Sequence, residues 1–154
     1  MLKMARNLTL TVMAAAMTLS AADSFLGTWK MNPAKSKYSP GPAPKSAIAT
    51  YTQDGDWIVG KNVTVGADDQ TTTGSNRFKR DGKEYPYQSP AAGSGTIAVK
   101  PIDENTAEAT IKTRTSNMTV RTTISKDGKT FIRTMKGTDA QGRQVNNRLV
   151  YEKQ

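Results

Sequence analysis

Two residue types that carry most enzyme chemistry are missing from this 154-residue chain, which has no histidine and no cysteine. Their absence removes Ser-His-Asp and Cys-His nucleophiles together with the usual transition-metal ligands. It also removes disulfides and thiol chemistry. Carboxylates remain as adjacent pairs at Asp68-Asp69 and Asp103-Glu104, and two-carboxylate hydrolysis is the reaction such pairs could serve. Both pairs fall in stretches that read as turns, where Asp serves backbone geometry. Calcium could use Asp68, Asp69 and Gln70 as oxygen ligands, but the alternating acidic spacing of a calcium loop is missing. The run Ala92-Gly93-Ser94-Gly95 lacks the lysine and the following helix of a phosphate loop. No catalytic residue, metal site or cofactor is therefore expected, and the side chains left for function are those of a binding protein.

Strands must position those side chains. Short stretches rich in Thr, Val, Ile and Tyr are broken at Asp54-Gly55, Asp81-Gly82 and Asp127-Gly128, with further breaks at Gly66 to Asp69, Asp103 to Asn105 and Ala140 to Gly142. Asp-Gly pairs supply the geometry of tight hairpins, so strands joined this way are neighbours and antiparallel. The spacing predicts strands at 26–32, 47–53, 57–65, 71–79, 84–87, 96–101, 107–114, 118–126, 130–138 and 144–153. Beyond residue 22 no window carries apolar residues at a helical period over three turns, so little helix is expected. The fold class is all-β, a single antiparallel up-and-down β-barrel of about 8–10 strands, because sequential hairpins that close on themselves leave no exposed edge. Pro33 to Lys45 and Tyr85 to Gly95, rich in Pro, Gly and Ser, read as loops.

The start of the chain has the layout of a secretory signal: Lys3 and Arg6, an uncharged run from Leu8 to Leu19, then Ser20, Ala21 and Ala22. That run is shorter than the ~20 residues needed to cross a bilayer. We expect a signal peptide over 1–22, cleavage after Ala22, one domain over 23–154, no stable membrane anchor after cleavage, and a periplasmic or extracellular location. Of 22 Lys and Arg, removing Lys3 and Arg6 leaves 20 against 13 Asp and Glu, a net +7. The basic residues are scattered singly, so no nucleic-acid partner is expected, whereas an anionic surface or a small acidic ligand stays open. No oligomeric state can be read from the chain.

The stretch Phe25-Leu26-Gly27-Thr28-Trp29-Lys30 resembles the opening strand of the calycin superfamily, the lipocalins and fatty-acid-binding proteins, where Gly-x-Trp sits on the first strand. Val150-Tyr151-Glu152-Lys153 is similar to the last strand of the fatty-acid-binding proteins. More broadly the chain resembles small exported bacterial lipocalin-like proteins of unassigned function, with Trp-Lys-x-Asn, Ser-Pro-Gly-Pro, Asp-Gly-Lys and Val-Tyr-Glu-Lys in this order. In a bacterial chain the Asn-x-Thr triplets at Asn62 and Asn117 carry no weight. The resemblance implies a barrel with a ligand-holding interior, Trp29 plugging the closed end, and Arg148 or Arg143 stacking over its ring. Two departures follow. The fatty-acid-binding proteins carry a helical pair after the first strand, which Pro40, Pro42 and Pro44 forbid here. Their last strand carries Arg-x-Tyr for a ligand carboxylate, and Leu149 stands where that Arg would be.

Strand parity then picks out interior candidates. Val145, Asn147, Leu149 and Tyr151 share a side, and the resemblance makes it the inward one. If Phe131 and Met135 point in, Arg133 does too; the alternative puts Arg133 in solvent while Ile132 fills the core. Arg121 shares a polar face with Thr119, Thr123 and Ser125, which is either a solvent face or part of the interior. Tyr85 and Tyr87 either rim an open mouth or pack as ordinary loop residues. The candidate ligand contacts are Tyr151, Arg133, Arg121 and Tyr87, for a small hydrophobic or amphipathic ligand. The competing expectation is a filled barrel acting through its surface as an envelope interaction or stress-related module.

Overall fold

The computed structural model describes residues 23–154; the expected signal peptide, 1–22, lies outside the described residues. Ten strands follow one another: β1 Gly27–Met31, β2 Ser46–Asp54, β3 Trp57–Val65, β4 Thr71–Phe78, β5 Glu84–Ser89, β6 Gly93–Asp103, β7 Thr106–Thr113, β8 Asn117–Ile124, β9 Thr130–Thr138 and β10 Gln144–Lys153. All are antiparallel in one sheet of order β4-β3-β2-β1-β10-β9-β8-β7-β6-β5. Each expected strand is present, displaced by a few residues at its ends. The sheet curls until its two edges, β4 and β5, meet. Alternation drives the curl: β8 buries Met118, Val120, Thr122 and Ile124 while exposing the residues between them, so one face is sealed and the other solvated.

The two edges are joined by side chains, not by a backbone ladder. Asn76 of β4 donates to the carbonyl of Gln88 (3.1 Å) and accepts from its amide (2.8 Å), taking the place of a strand's peptide group. At the other end of this seam the half-exposed ring of Trp57 lies under Arg77 and Lys79, at 4.4 and 5.0 Å, and meets Tyr85 edge-on at 5.0 Å.

Two segments expected as loops are more ordered than that. Pro33–Lys35 forms one 3₁₀ turn with Pro at its first position and the Asn32 side chain accepting from the Lys35 amide at 3.2 Å. The chain then returns to β10, where Lys37 exchanges backbone hydrogen bonds with Arg148 and the Ser39 carbonyl accepts from Asn146. This resumed pairing swings Tyr38 into the barrel. Likewise Tyr85 to Gly95 is mostly strand, beyond the strand expected over 84–87, with Pro86 opposite Thr96. β5 is an edge strand, where a missing N–H disrupts no ladder.

Trp29, fully buried, closes the floor. Its indole N–H donates to the Phe25 carbonyl at 3.0 Å, and its ring packs on Phe131 (4.8 Å), which packs on Tyr151 (4.5 Å). The cation over Trp29 is Lys153, with Nζ 5.0 Å from the ring centroid, and neither Arg148 nor Arg143. Parity explains the correction: Lys153 lies directly opposite Trp29 in the β1–β10 ladder, whereas Arg148 faces outward and Arg143 pairs with Asp139 at 2.8 Å. Gly27 has φ +122°, and a Cβ there would sit 3.0 Å from Lys153 Cε, so the glycine of Gly-x-Trp makes room for this lysine. No helix of the described residues is long and apolar enough to cross a membrane.

Candidate functional site

The interior above the floor is a cavity of about 500 Å³. Its mouth lies at the end that holds Thr64, Ala91 and Asn147. The inward face of β9 presents Phe131, Arg133 and Met135, so Arg133 enters the cavity. Its Nη2 donates to the Tyr51 hydroxyl at 2.5 Å and its Nε to Thr122 Oγ1 at 3.3 Å. The guanidinium carbon stands 4.9 Å from the Phe131 ring and 5.6 Å from that of Tyr151. Burial pulls the guanidinium pKa down, but the phenol oxygens of Tyr51 and Tyr151 outweigh it and hold the pKa above its ordinary value. Arg133 is charged, and among the described residues no carboxylate lines the cavity to neutralise it.

Three of the phenols around it hold their protons more tightly than usual. Burial pushes the Tyr151 hydroxyl above the usual phenol range, and burial does the same to Tyr38 and Tyr87. Tyr38 leans on Met31 Sδ at 3.5 Å. Tyr51 reaches Arg133 because it lies against Gly60, where an added Cβ would meet the ring at 2.9 Å. The arrangement is a cation held by hydroxyls, with no carboxylate among the described residues of the chamber. It can receive an anionic group, and it offers no general base.

Of the four candidate ligand contacts, Tyr151, Arg133 and Tyr87 line the cavity together. Arg121 does not. It lies on the outer face of β8 and pairs with Glu108 at 3.2 Å, because Val120 and Thr122 take the inward positions. Tyr51, Tyr38, Thr122 and Asn62 were not singled out from the sequence. For Tyr51 a signal existed in the small inward residues Ala47 and Ala49 that share its parity on β2. The adjacent carboxylates serve turns: Asp68 accepts from the Gln70 amide, Asp69 pairs with Lys45, and Asp103 accepts from the Asn105 amide. A wider, open depression at the floor end runs between turns, and four of its charges form two pairs, Arg80 with Asp23 and Lys79 with Asp56.

Leu149 and Arg133 are direct partners in the β9–β10 ladder. The interior arginine that the last strand lacks therefore enters from the strand beside it. Ten antiparallel strands in meander order, a Gly-x-Trp floor and an interior guanidinium decide the architecture. The fold is that of the calycin barrels.

A fatty acid binding protein from Schistosoma mansoni, solved with arachidonic acid, matches 85% of this chain and 96% of its own, with a TM-score of 0.62 at 17% identity. Zebrafish ileal bile acid-binding protein complexed with cholic acid matches 85% and 99%, with a TM-score of 0.53 at 18% identity. An S-type phycobiliprotein lyase from Guillardia theta shares the calycin barrel over 85% and 88%, with a TM-score of 0.54 at 13% identity. No protein-family model matches the chain, and no curated protein sequence does.

Proposed function

We propose that this protein is an exported, non-enzymatic binding protein that holds one small amphipathic acid inside its calycin barrel, the acid group on Arg133 and the apolar body along the cavity. The observation that carries this reading is the Arg133 guanidinium, charged yet met by hydrogen bond, among the described residues, only by the hydroxyls of Tyr51 and Thr122. A desolvated charge is costly unless an opposite charge meets it. A ligand carboxylate or other oxyanion would meet it with charge-assisted hydrogen bonds and bidentate geometry. Proteins of the same fold were solved with arachidonic and cholic acids, both of this class. An interior of about 500 Å³ lies in the range of small-molecule sites and favours this reading over a filled barrel acting through its surface. With no histidine or cysteine, and no carboxylate among the described cavity residues, binding is favoured over catalysis.

Thermal shift of the delipidated protein with palmitic, cholic and 5β-cholanic acids, each beside its methyl ester, tests the reading on whichever acid fits. The acid is expected to raise Tm, since ligand at a hundredfold excess over Kd adds about 2.7 kcal/mol of stability. The ester should not, and Arg133→Met should abolish the difference. Equal shifts from that acid and its ester, or no shift from any of the three acids, would overturn it. Export is tested by mass spectrometry of the protein recovered outside the cytoplasm, where the expected first residue is Asp23.

A further inference from the structure

The cavity has two unlike walls. Apart from Thr122 and Arg133, the half formed by β6 to β9 presents Ile97, Val99, Ala109, Ile111, Val120 and Met135. The half formed by β3 and β4 presents Asn62, Thr64 and Asn76 towards the mouth, with Phe78 below them, and the register places Gly60 beside Asn76 and Gly74 beside Asn62. Asn76 is committed to the backbone of Gln88 across the seam. Among the described residues the side chains of Asn62 and Thr64 make no hydrogen bond, and no polar atom is sealed away without a partner. Their amide and hydroxyl therefore open onto the cavity, across the barrel from an aliphatic surface.

We infer that the ligand is a rigid, facially amphipathic acid, a fused-ring body with hydroxyl or carbonyl groups gathered on one face, and not a simple alkyl chain. This rests on the reading that Arg133 holds an acid. An alkyl chain against Asn62 and Thr64 would expel water from both side chains and return no hydrogen bond. A ring system with polar groups on one face answers both walls at once, meeting Asn62 and Thr64 on that face and laying its apolar face on Ile97, Ile111 and Met135. Rigidity also reduces the ordering entropy lost on binding.

Three probes separate the alternatives by displacement of a fluorescent probe from the delipidated protein. Cholic acid carries its hydroxyls on one face, 5β-cholanic acid has the same skeleton and acid group without them, and palmitic acid is a plain chain. Cholic acid is expected to bind at least about tenfold more tightly than 5β-cholanic acid, the discrimination expected of about one to two satisfied hydrogen bonds. In the Asn62→Leu, Thr64→Val double variant that ratio should fall to one or reverse, while Arg133→Met weakens both acids alike. Thr64→Val alone, with an intermediate ratio, serves if the double variant melts early. If 5β-cholanic acid binds the wild type as tightly as cholic acid, or the variant leaves the ratio unchanged, the inference falls. Palmitic acid and 5β-cholanic acid binding without cholic acid would overturn this inference and leave the acid-binding reading standing. Failure of all three acids to bind would end both.

Discussion

A guanidinium ringed by phenols has partners without a counter-ion, and the phenols have a price of their own in alkaline solution. Tyr38, Tyr87 and Tyr151 are each pushed above the ordinary phenol value, chiefly by burial. A phenol that holds its proton more tightly when folded adds stability that is whole below the unfolded pKa of about 10. That stability is lost as pH rises through the folded value. Tm should therefore be steady between pH of about 7 and about 9 and fall above about 10, with Tyr151→Phe softening the fall. Tyrosinate absorbance should be incomplete at pH of about 10, and ionisation of Tyr38, Tyr87 and Tyr151 there would contradict this. Arg133 was legible because Phe131 and Met135 share its parity, although parity alone left the inward and outward registers open. Asn62 and Thr64 were not legible. A polar residue at every second position reads as a solvated face, and only the closed barrel shows that this face lines a cavity.

At the scale of strands, the seam is the element with least backbone support. Asn76 replaces a ladder with two side-chain hydrogen bonds, each contributing about 1 kcal/mol. Asn76→Ala should raise the hydrogen-exchange rate of the Gln88 amide by about tenfold or more while β6 amides keep their protection. Unchanged exchange at Gln88 would show that β4 and β5 are held by something else. The hairpins were legible from their turn dipeptides, and the strands from Thr, Val and Ile. The ordered pieces within Pro33 to Lys45, the extension of β5 past Tyr87 and the start of β6 at Gly93 were not, because proline is compatible with an edge strand or a helix's first position as well as with a loop. Which of these it adopts depends on the neighbouring strand, β10 in one case and β6 in the other.

For the molecule as a whole, no disulfide reinforces the fold, so cohesion comes from packing around the floor. Among the described residues Trp29 and Phe131 are the two fully buried large side chains. Trp29→Ala or Phe131→Ala should each cost about 3–5 kcal/mol in urea denaturation, a large share of the stability of a small domain. A loss below about 1 kcal/mol would mean the floor collapses around the gap or is not the stabilising centre. Barrel closure was legible from strand count and the Gly-x-Trp position. The identity of the cation over Trp29 was not, since it depends on how β1 and β10 are staggered. That stagger places one indole in the sealed floor beneath Lys153 and leaves the other, Trp57, half-exposed across the seam. The protein thus carries two optical reporters of different accessibility: acrylamide should quench the seam indole and spare the floor. Intrinsic emission, with no added label, can follow the breathing of β4 from β5 while the base of the barrel stays dark to the quencher.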